Sequence, residues 1–459
     1  MLVKQLILFA VVAVLALPLL YMPSVRDIDI PVLKPETYSA LSTPILSSTT
    51  VLANKAEHVS SNIDSHMNGD GHGPVDAVHP PLVEDISISD APLSPSDHFL
   101  SSPTAPSQPV TFALIMWSED SASEGAILLK SIMMYTSVPV HVYIICDEQA
   151  QAHIEKRLAL VRRPRHDLHV FFYRLSWQAM LGRVEREGSI STVHAAGTPG
   201  LMKLFIHEIL PTHVRRAIFV DTDAFFTTDP LLLWRQFGTF NATTAIALPS
   251  HPEMFAPEWY DANKICSCVM LLDLERFRTL RLMDSTHYRT AGLPALAPAT
   301  FRALFGEPDA ATGHFADAAL GDQTFWWAII QGRPELFKHL HYDWEVSSCL
   351  VEMYGTGLIG NDNVTVENEL HAQMHTWATP HQGEAIMPKL VHFNCLEGPR
   401  YHEWAGWDDP TNSLASRWAP AVQYHAGYKW LWLNQGQKDE ASITTETVLD
   451  VRFADELQE

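Results

Sequence analysis

The chain has 459 residues, 47% of them hydrophobic and 18% charged, with a formal net charge of −22. That is enough apolar material for one large α/β domain or two smaller ones, and with no basic block anywhere it argues against nucleic acid as a partner. The acidic excess is spread along the chain and reads as a solvated surface. The five cysteines, Cys146, Cys266, Cys268, Cys349 and Cys395, are too few and too scattered for a disulfide framework. Their odd number leaves at least one unpaired, and a single bridge is compatible with an oxidising compartment.

Residues 6–22 are apolar and uncharged, with Lys4 before them. Their length is at the short limit for a membrane span, and no clean small-x-small cleavage site follows, so residues 1–22 read as a cytoplasmic tail and an uncleaved signal anchor. Residues 23–109 are rich in Ser, Pro, Thr, His and Asp without apolar periodicity, the composition of a disordered stem. Anchor, stem and globular domain in that order describe a single-pass type II membrane protein of the secretory pathway. The sequons Asn241-Ala242-Thr243 and Asn363-Val364-Thr365 fit a lumenal domain but arise by chance often enough to add little.

The globular part, residues 110–435, opens with a strand at Val110–Met116, a helix over residues 124–135 and a second strand at Val140–Cys146. Strand, helix and strand at this spacing predict a parallel α/β sheet. A third strand is expected over 168–173, and a helix over 200–210 that Pro211 stops. Leu201, Leu204 and Phe205 mark the buried face of that helix, so Lys203 points elsewhere. Strands follow over 217–220, near 244–248 and over 268–272, with helical residues 229–237 between the first two. Residues 285–318, rich in Ala and Pro, read as a long surface loop over the site. Aromatic residues begin a helix at 322, a last short strand ends at His392, and residues 436–459 read as a frayed acidic tail.

The strand over 217–220 has no alternation, the pattern of a strand covered on both faces, and it ends in Asp221-Thr222-Asp223. Strand ends are where such sheets place ligands. Two carboxylates one residue apart can converge on a hard cation whose other positions are filled by phosphate oxygens; by themselves they are as well explained as a polar turn. Lys203 is by default a snorkelling surface lysine, Asp322 a helix N-cap and His392 a structural histidine at a strand end. Zinc on Cys266-x-Cys268 with His392 or Cys395 is the weaker metal reading. Zinc modules usually put two or more residues between clustered cysteines, and Cys268 leads into the apolar run 269–272.

Taken together, Gly200-Leu201-Met202-Lys203-Leu204, Leu210-Pro211, Val220-Asp221-Thr222-Asp223, Thr228-Asp229, Leu233-Trp234, Asp322-Gln323 and Val391-His392-Phe393-Asn394 resemble glycosyltransferase family 8. The branch most similar to them is the xylosyltransferase domain of the LARGE-type glycosyltransferases, and the resemblance runs over about residues 110–405. It implies a single GT-A domain with a mixed, mostly parallel sheet. It also implies a retaining transfer of a sugar, xylose or another pentose or hexose, from a UDP-sugar to a glycan or glycoprotein acceptor, with Mn2+, in the Golgi. By the same resemblance Asp221, Asp223 and His392 are the metal ligands. Lys203, Thr222 and Asn394 join the Asp pair in holding the donor, and Asp322 and Gln323 are the catalytic residues facing the donor sugar. Retention without an obvious carboxylate nucleophile favours front-face attack. Cys266-Ser267-Cys268 departs from the family's Asn-Thr-Gly or Asn-Ser-Gly, Thr324 stands where Asp is frequent, and Arg400 is the nearest substitute for the basic residue that follows the histidine motif.

Two rivals compete. A haloacid-dehalogenase-like phosphohydrolase would use Asp221 as nucleophile and Asp223 as acid/base. Its motif wants Thr or Val where this chain has Phe225, and it normally lies on the first strand. A membrane-anchored sugar-binding protein that has lost turnover would fit the Cys-Ser-Cys departure.

Overall fold

The computed structural model describes residues 108–458 except 250–264, 316–319, 349–353, 356–364, 366–373, 377–382, 397 and 399. The anchor, the stem and Asn363 therefore lie outside the described residues. Among the described residues no helix is long and apolar enough to cross a membrane.

Thirteen strands run in chain order among the described residues: β1 (Val110–Met116), β2 (Val140–Cys146), β3 (Leu168–Arg174), β4 (Arg216–Val220), β5 (Ala224–Phe226), β6 (Ile246–Pro249), β7 (Val269–Asp273), β8 (Phe337–Leu340), β9 (Val346–Ser347), β10 (Tyr354–Gly355), β11 (His375–Thr376), β12 (Leu390–His392) and β13 (Ile443–Val448). The main sheet has the order β13-β3-β2-β1-β4-β7-β6-β8. Its pairings are parallel except at β7, which runs antiparallel to both β4 and β6. This is the mixed, mostly parallel α/β sheet that the resemblance implies.

The missing alternation in β4 has a direct cause. Ala217 and Phe219 point into the core on one face of the sheet with Met270 and Leu272, while Ile218 and Val220 join the other core with Val269 and Leu271. These four residues of β4 are at most 1% exposed, because helices cover both faces, and only Arg216 at the start of the strand is open to solvent. Burying a side chain of this kind contributes about 1.5–3 kcal/mol, so the strand that carries the Asp pair is also among the most firmly fixed.

A smaller sheet, β5-β12-β9, hangs from the end of β4. β12 runs antiparallel to β5, with His392 opposite Ala224, and parallel to β9, with His392 opposite Ser347. That register brings the ends of three distant segments to one point.

Three expectations are corrected. Residues 285–318 are not one surface loop: they form the helices Thr286–Thr290 and Ala297–Phe305. The latter tolerates Pro298 because proline in the first turn loses no helical hydrogen bond, and its Phe301 is fully buried against Phe315 and Phe325. The helix expected over 200–210 is broken into Gly197–Leu201, a 3₁₀ turn at Met202–Phe205 and Ile206–Ile209. The tail is not frayed either, since β13 extends the sheet by pairing in parallel with β3. Beyond it Asp455, fully buried, accepts a bidentate bond from Arg186 (2.8 and 3.0 Å) and one from Ser285 (2.7 Å).

Candidate functional site

The site forms where β4 ends between the two sheets. The Asp221 N–H still donates to the Cys268 carbonyl (2.8 Å), continuing the β4–β7 ladder, and the Phe393 N–H donates to the Asp223 carbonyl (2.9 Å), continuing the β5–β12 ladder. The two aspartates thus occupy the step by which the chain leaves one sheet for the other. Each side chain keeps about a quarter of its surface open, 26% for Asp221 and 27% for Asp223.

His392 Nε2 lies 3.4 Å from Asp223 Oδ1, and one ligand atom from each of Asp221, Asp223 and His392 falls within 4.8 Å of the others. On its far side the imidazole Nδ1 is 3.2 Å from Glu345 Oε1. A carboxylate behind a ligating histidine fixes the tautomer and ring orientation, so Glu345 sets Nε2 towards the aspartates. Glu345 is 1% exposed and immediately precedes β9. Its role depends on a register between β9 and β12 that leaves no mark in the local sequence.

Lys203 belongs to the 3₁₀ turn, and that tightening aims it inward. Its Nζ is 2.8 Å and 2.9 Å from the two oxygens of Asp221, 3.5 Å from Asp322 Oδ1 and 5.0 Å above the Phe219 ring. It is 8% exposed, so the default reading as a snorkelling surface lysine is overturned. Asp322 is not the N-cap of its helix: that position is Gly321, at φ 60°, and Asp322 is the first helical residue. Its Oδ2 is buried without a hydrogen-bond partner. Gln323 Oε1 accepts weakly from the Ser267 N–H at 3.4 Å.

The charges respond to one another. Burial would raise the Asp223 carboxyl, but His392 outweighs it and holds it below the usual carboxylate range. Burial raises Asp221 above its ordinary value in spite of Lys203, and raises Asp322 to about 6. For His392 burial works downward, and Asp223 and Cys266 push it well above its ordinary value.

Two other predicted donor residues engage the protein itself. Thr222 Oγ1 donates at 3.5 Å to Glu124 Oε2, a residue the sequence did not single out. Burial, then Asp223, pushes the Glu124 carboxyl up to about 8, although the Tyr401 N–H donates to it at 2.8 Å. Asn394 Oδ1 accepts from Ser347 (2.8 Å) and Ser348 (3.5 Å). Arg400 pairs with Glu403 (2.6 Å) and Asp120 (3.7 Å), which commits it to the helix entrance. Phe225, where the phosphohydrolase motif wants Thr or Val, is fully buried and stacked 4.0 Å from the His425 ring.

The cysteines divide. Cys395 is disulfide-bonded, which removes it from any zinc set, whereas Cys146, Cys266 and Cys268 are free and buried. Cys266 and Cys268 lie beside the site, with Cys266 Sγ 3.7 Å from His392 Nδ1.

The chain is similar in sequence to the LARGE glycosyltransferases. It is 28% identical over 273 residues to human "Xylosyl- and glucuronyltransferase LARGE2", covering 56% of this chain and 34% of that protein. It is 28% identical over 156 residues to the rat LARGE2, covering 33% and 20%, and 26% identical over 156 residues to chicken "Xylosyl- and glucuronyltransferase LARGE1", covering 33% and 18%. The chain thus spans about a fifth to a third of the length of the curated relatives it matches. No protein-family model matches it. Among solved structures, mouse xyloside xylosyltransferase 1 aligns at 17% identity and a TM-score of 0.41, over 62% of this chain and 99% of that one. The galactosyltransferase LgtC, in complex with donor and acceptor sugar analogs, aligns at 10% identity and 0.44, over 69% and 95%.

Proposed function

We propose that this chain is a GT-A glycosyltransferase that moves a sugar from a UDP-sugar to a glycan or glycoprotein acceptor with retention at the anomeric carbon. The observation that carries the reading is the convergence of Asp221, Asp223 and His392 within 4.8 Å at a strand end, with Lys203 joined to both Asp221 and Asp322. Two carboxylates and an imidazole suit manganese. Held there, the cation would neutralise the diphosphate leaving group.

The remaining roles follow from the chain's own groups. Lys203 supplies a fixed positive charge in a nearly closed setting, where it stabilises developing negative charge more than it would in water. Asp322, with one buried oxygen lacking a partner, is suited to accept a hydrogen bond from a donor-sugar hydroxyl, because an unmet buried acceptor costs about 1–3 kcal/mol until it is satisfied. Gln323 reaches the sugar from the next position and stabilises the oxocarbenium-like state. Attack occurs on the face the diphosphate leaves, so the acceptor oxygen bonds to the anomeric carbon as the bond to the leaving oxygen breaks, and the acceptor proton passes to that oxygen. Thr222 and Asn394 line the donor site, and xylose is the first donor to try. Residues 6–22 would anchor the enzyme in the Golgi membrane with residues 110–435 in the lumen.

The test is UDP release by the full chain across a panel of UDP-sugars, with and without manganese, for the parent and Asp223→Asn. One donor should support release only with manganese and only in the parent. If no donor is consumed, or if the Asn variant equals the parent, the reading fails.

A further inference from the structure

His392 has two occupied sides. Nε2 faces the aspartates, while Nδ1 faces a second group that the proposed transfer does not use. One atom from each of Cys266, Cys268, Glu345 and His392 lies within 4.8 Å of the other three, and all four residues are buried. The resemblance supplies Asn and Gly at the cysteine positions and so gives no account of two free thiols here.

We propose that Cys266, Cys268, Glu345 and His392 Nδ1 form a binding site for a thiophilic divalent cation of the zinc class. Four donors of types S, S, O and N match the ligand set zinc accepts, and none has to be brought from elsewhere in the fold. The spacing also fits. Zinc bonds of about 2.3 Å to sulfur and about 2.0–2.2 Å to nitrogen and oxygen, arranged tetrahedrally, require ligand atoms roughly 3.3–3.8 Å apart. Cys266 Sγ to His392 Nδ1, at 3.7 Å, falls inside that range, and Nδ1 to Glu345 Oε1, at 3.2 Å, falls just below it. The sheets hold these positions. Cys268 leads directly into β7, Glu345 directly precedes β9, and His392 ends β12. Soft thiolates strongly favour zinc over manganese, whereas the carboxylate-rich face on the opposite side of the ring accepts hard cations such as manganese. Binding would expel the thiol protons to solvent and shift the proton of a neutral imidazole from Nδ1 to Nε2.

The shared imidazole couples the two faces, a consequence that rests on the reading of Asp221, Asp223 and His392 as the manganese site. A neutral imidazole offers one lone pair. With Nδ1 donating to Glu345, Nε2 is free to ligate on the aspartate side; with Nδ1 on zinc, Nε2 carries the proton and that face loses its nitrogen ligand. Zinc on the thiol side therefore opposes manganese on the aspartate side.

The experiment reads binding without turnover. The reduced full chain is titrated with cobalt(II), followed by zinc. One equivalent of cobalt should give a thiolate-to-cobalt charge-transfer band that one equivalent of zinc removes. The band should persist in Asp223→Asn and be lost in Cys266→Ser and Cys268→Ser. Alkylation read by mass spectrometry gives a second measure on the unmutated chain: zinc should protect Cys266 and Cys268 and leave the reactivity of Cys146 unchanged. Absence of the band together with unprotected thiols at saturating zinc overturns the proposal, as does a Cys266–Cys268 disulfide in the purified chain. Because Asp223→Asn keeps the band while losing UDP release, failure of the glycosyltransferase reading is told apart from failure of this one.

Discussion

Two of the charge clusters among the described residues can be compared, and they are closed to water to different degrees. Around Arg183 the cluster is closed to solvent, although one guanidinium nitrogen, Nη1, is buried without a hydrogen-bond partner. The guanidinium, fully buried, holds Glu208 through two bonds of 2.7 Å, stacks 4.3 Å over Phe205, and lies 3.6 Å from Asp455, whose own oxygens are taken by Arg186 and Ser285. Around Asp221 it is left open. Two carboxylates are a quarter exposed, and Asp322 has one oxygen with no partner. Each cluster keeps one unmatched buried atom, so the difference lies in exposure: only around Asp221 are the carboxylates open to solvent. The charge types are similar in both; what separates a strut from a site is access from solvent.

The contrast can be broken at several points. Arg183→Met strips the closed cluster of its central cation and leaves Glu208 and Asp455 buried together. Removing one partner of such a pair costs about 3–5 kcal/mol, so the melting temperature should fall sharply while affinity for a cation at Asp221 and Asp223 is unchanged. A melt close to that of the parent would mean the network is not holding the C-terminal segment. Asp223→Asn is the mirror experiment. Turnover should drop about 10²- to 10³-fold with a melting temperature within a degree or two of the parent, and a large loss of stability would mean that this cluster is a strut as well.

Glu124 lies between the two cases, matched by Tyr401 yet raised to about 8. From the ordinary carboxylate value near 4.5 up to that value the folded state keeps a proton that the unfolded state has lost. Stability therefore falls as pH rises across this window and levels off above it. Glu124→Gln should flatten the slope, leaving stability near pH 4 unchanged and raising it at pH 8 by on the order of 1–3 kcal/mol; this is read from denaturant melts in chelator at both pH values. Parallel curves for parent and variant would refute it. The smallest effect belongs to Arg215 and Glu275, an exposed pair at 71% and 54%. Arg215→Ala should leave the melt within experimental scatter, because water screens such pairs.

How much of this was legible in the sequence depended on whether a segment's role is carried by side chains. β1, β2, β3 and β7 were readable from their apolar runs, since two-sided burial demands them, and the Asp pair was readable because it interrupts one. β13 was not. Its residues Ile443-Thr444-Thr445-Glu446-Thr447-Val448 are largely exposed, and it joins the sheet through backbone groups that any sequence possesses. Glu345 and Glu124 were missed for a related reason. Each owes its position to pairing with a remote strand or loop, and neither stands in a pattern of its own. Lys203 was found, though its burial was not, because a 3₁₀ turn shifts the helical phase by which its direction was read.

The small sheet β5-β12-β9 carries one more implication, for how the chain reaches its native state. His392 stands 47 residues from Glu345 and 126 from Cys266 along the chain, so the complete set of ligands depends on pairings between remote segments. A cation bound at this junction would therefore favour the completed fold over forms that offer only part of the set, such as Cys266 and Cys268 alone. Mass action would then make it a thermodynamic clasp: at a free concentration a hundred times its dissociation constant it would add at most about 2.7 kcal/mol to stability, less whatever it gains from cysteines and histidines of the unfolded chain. The long-range pairings of β12 with β5 and β9 are the ones such a cation would hold shut.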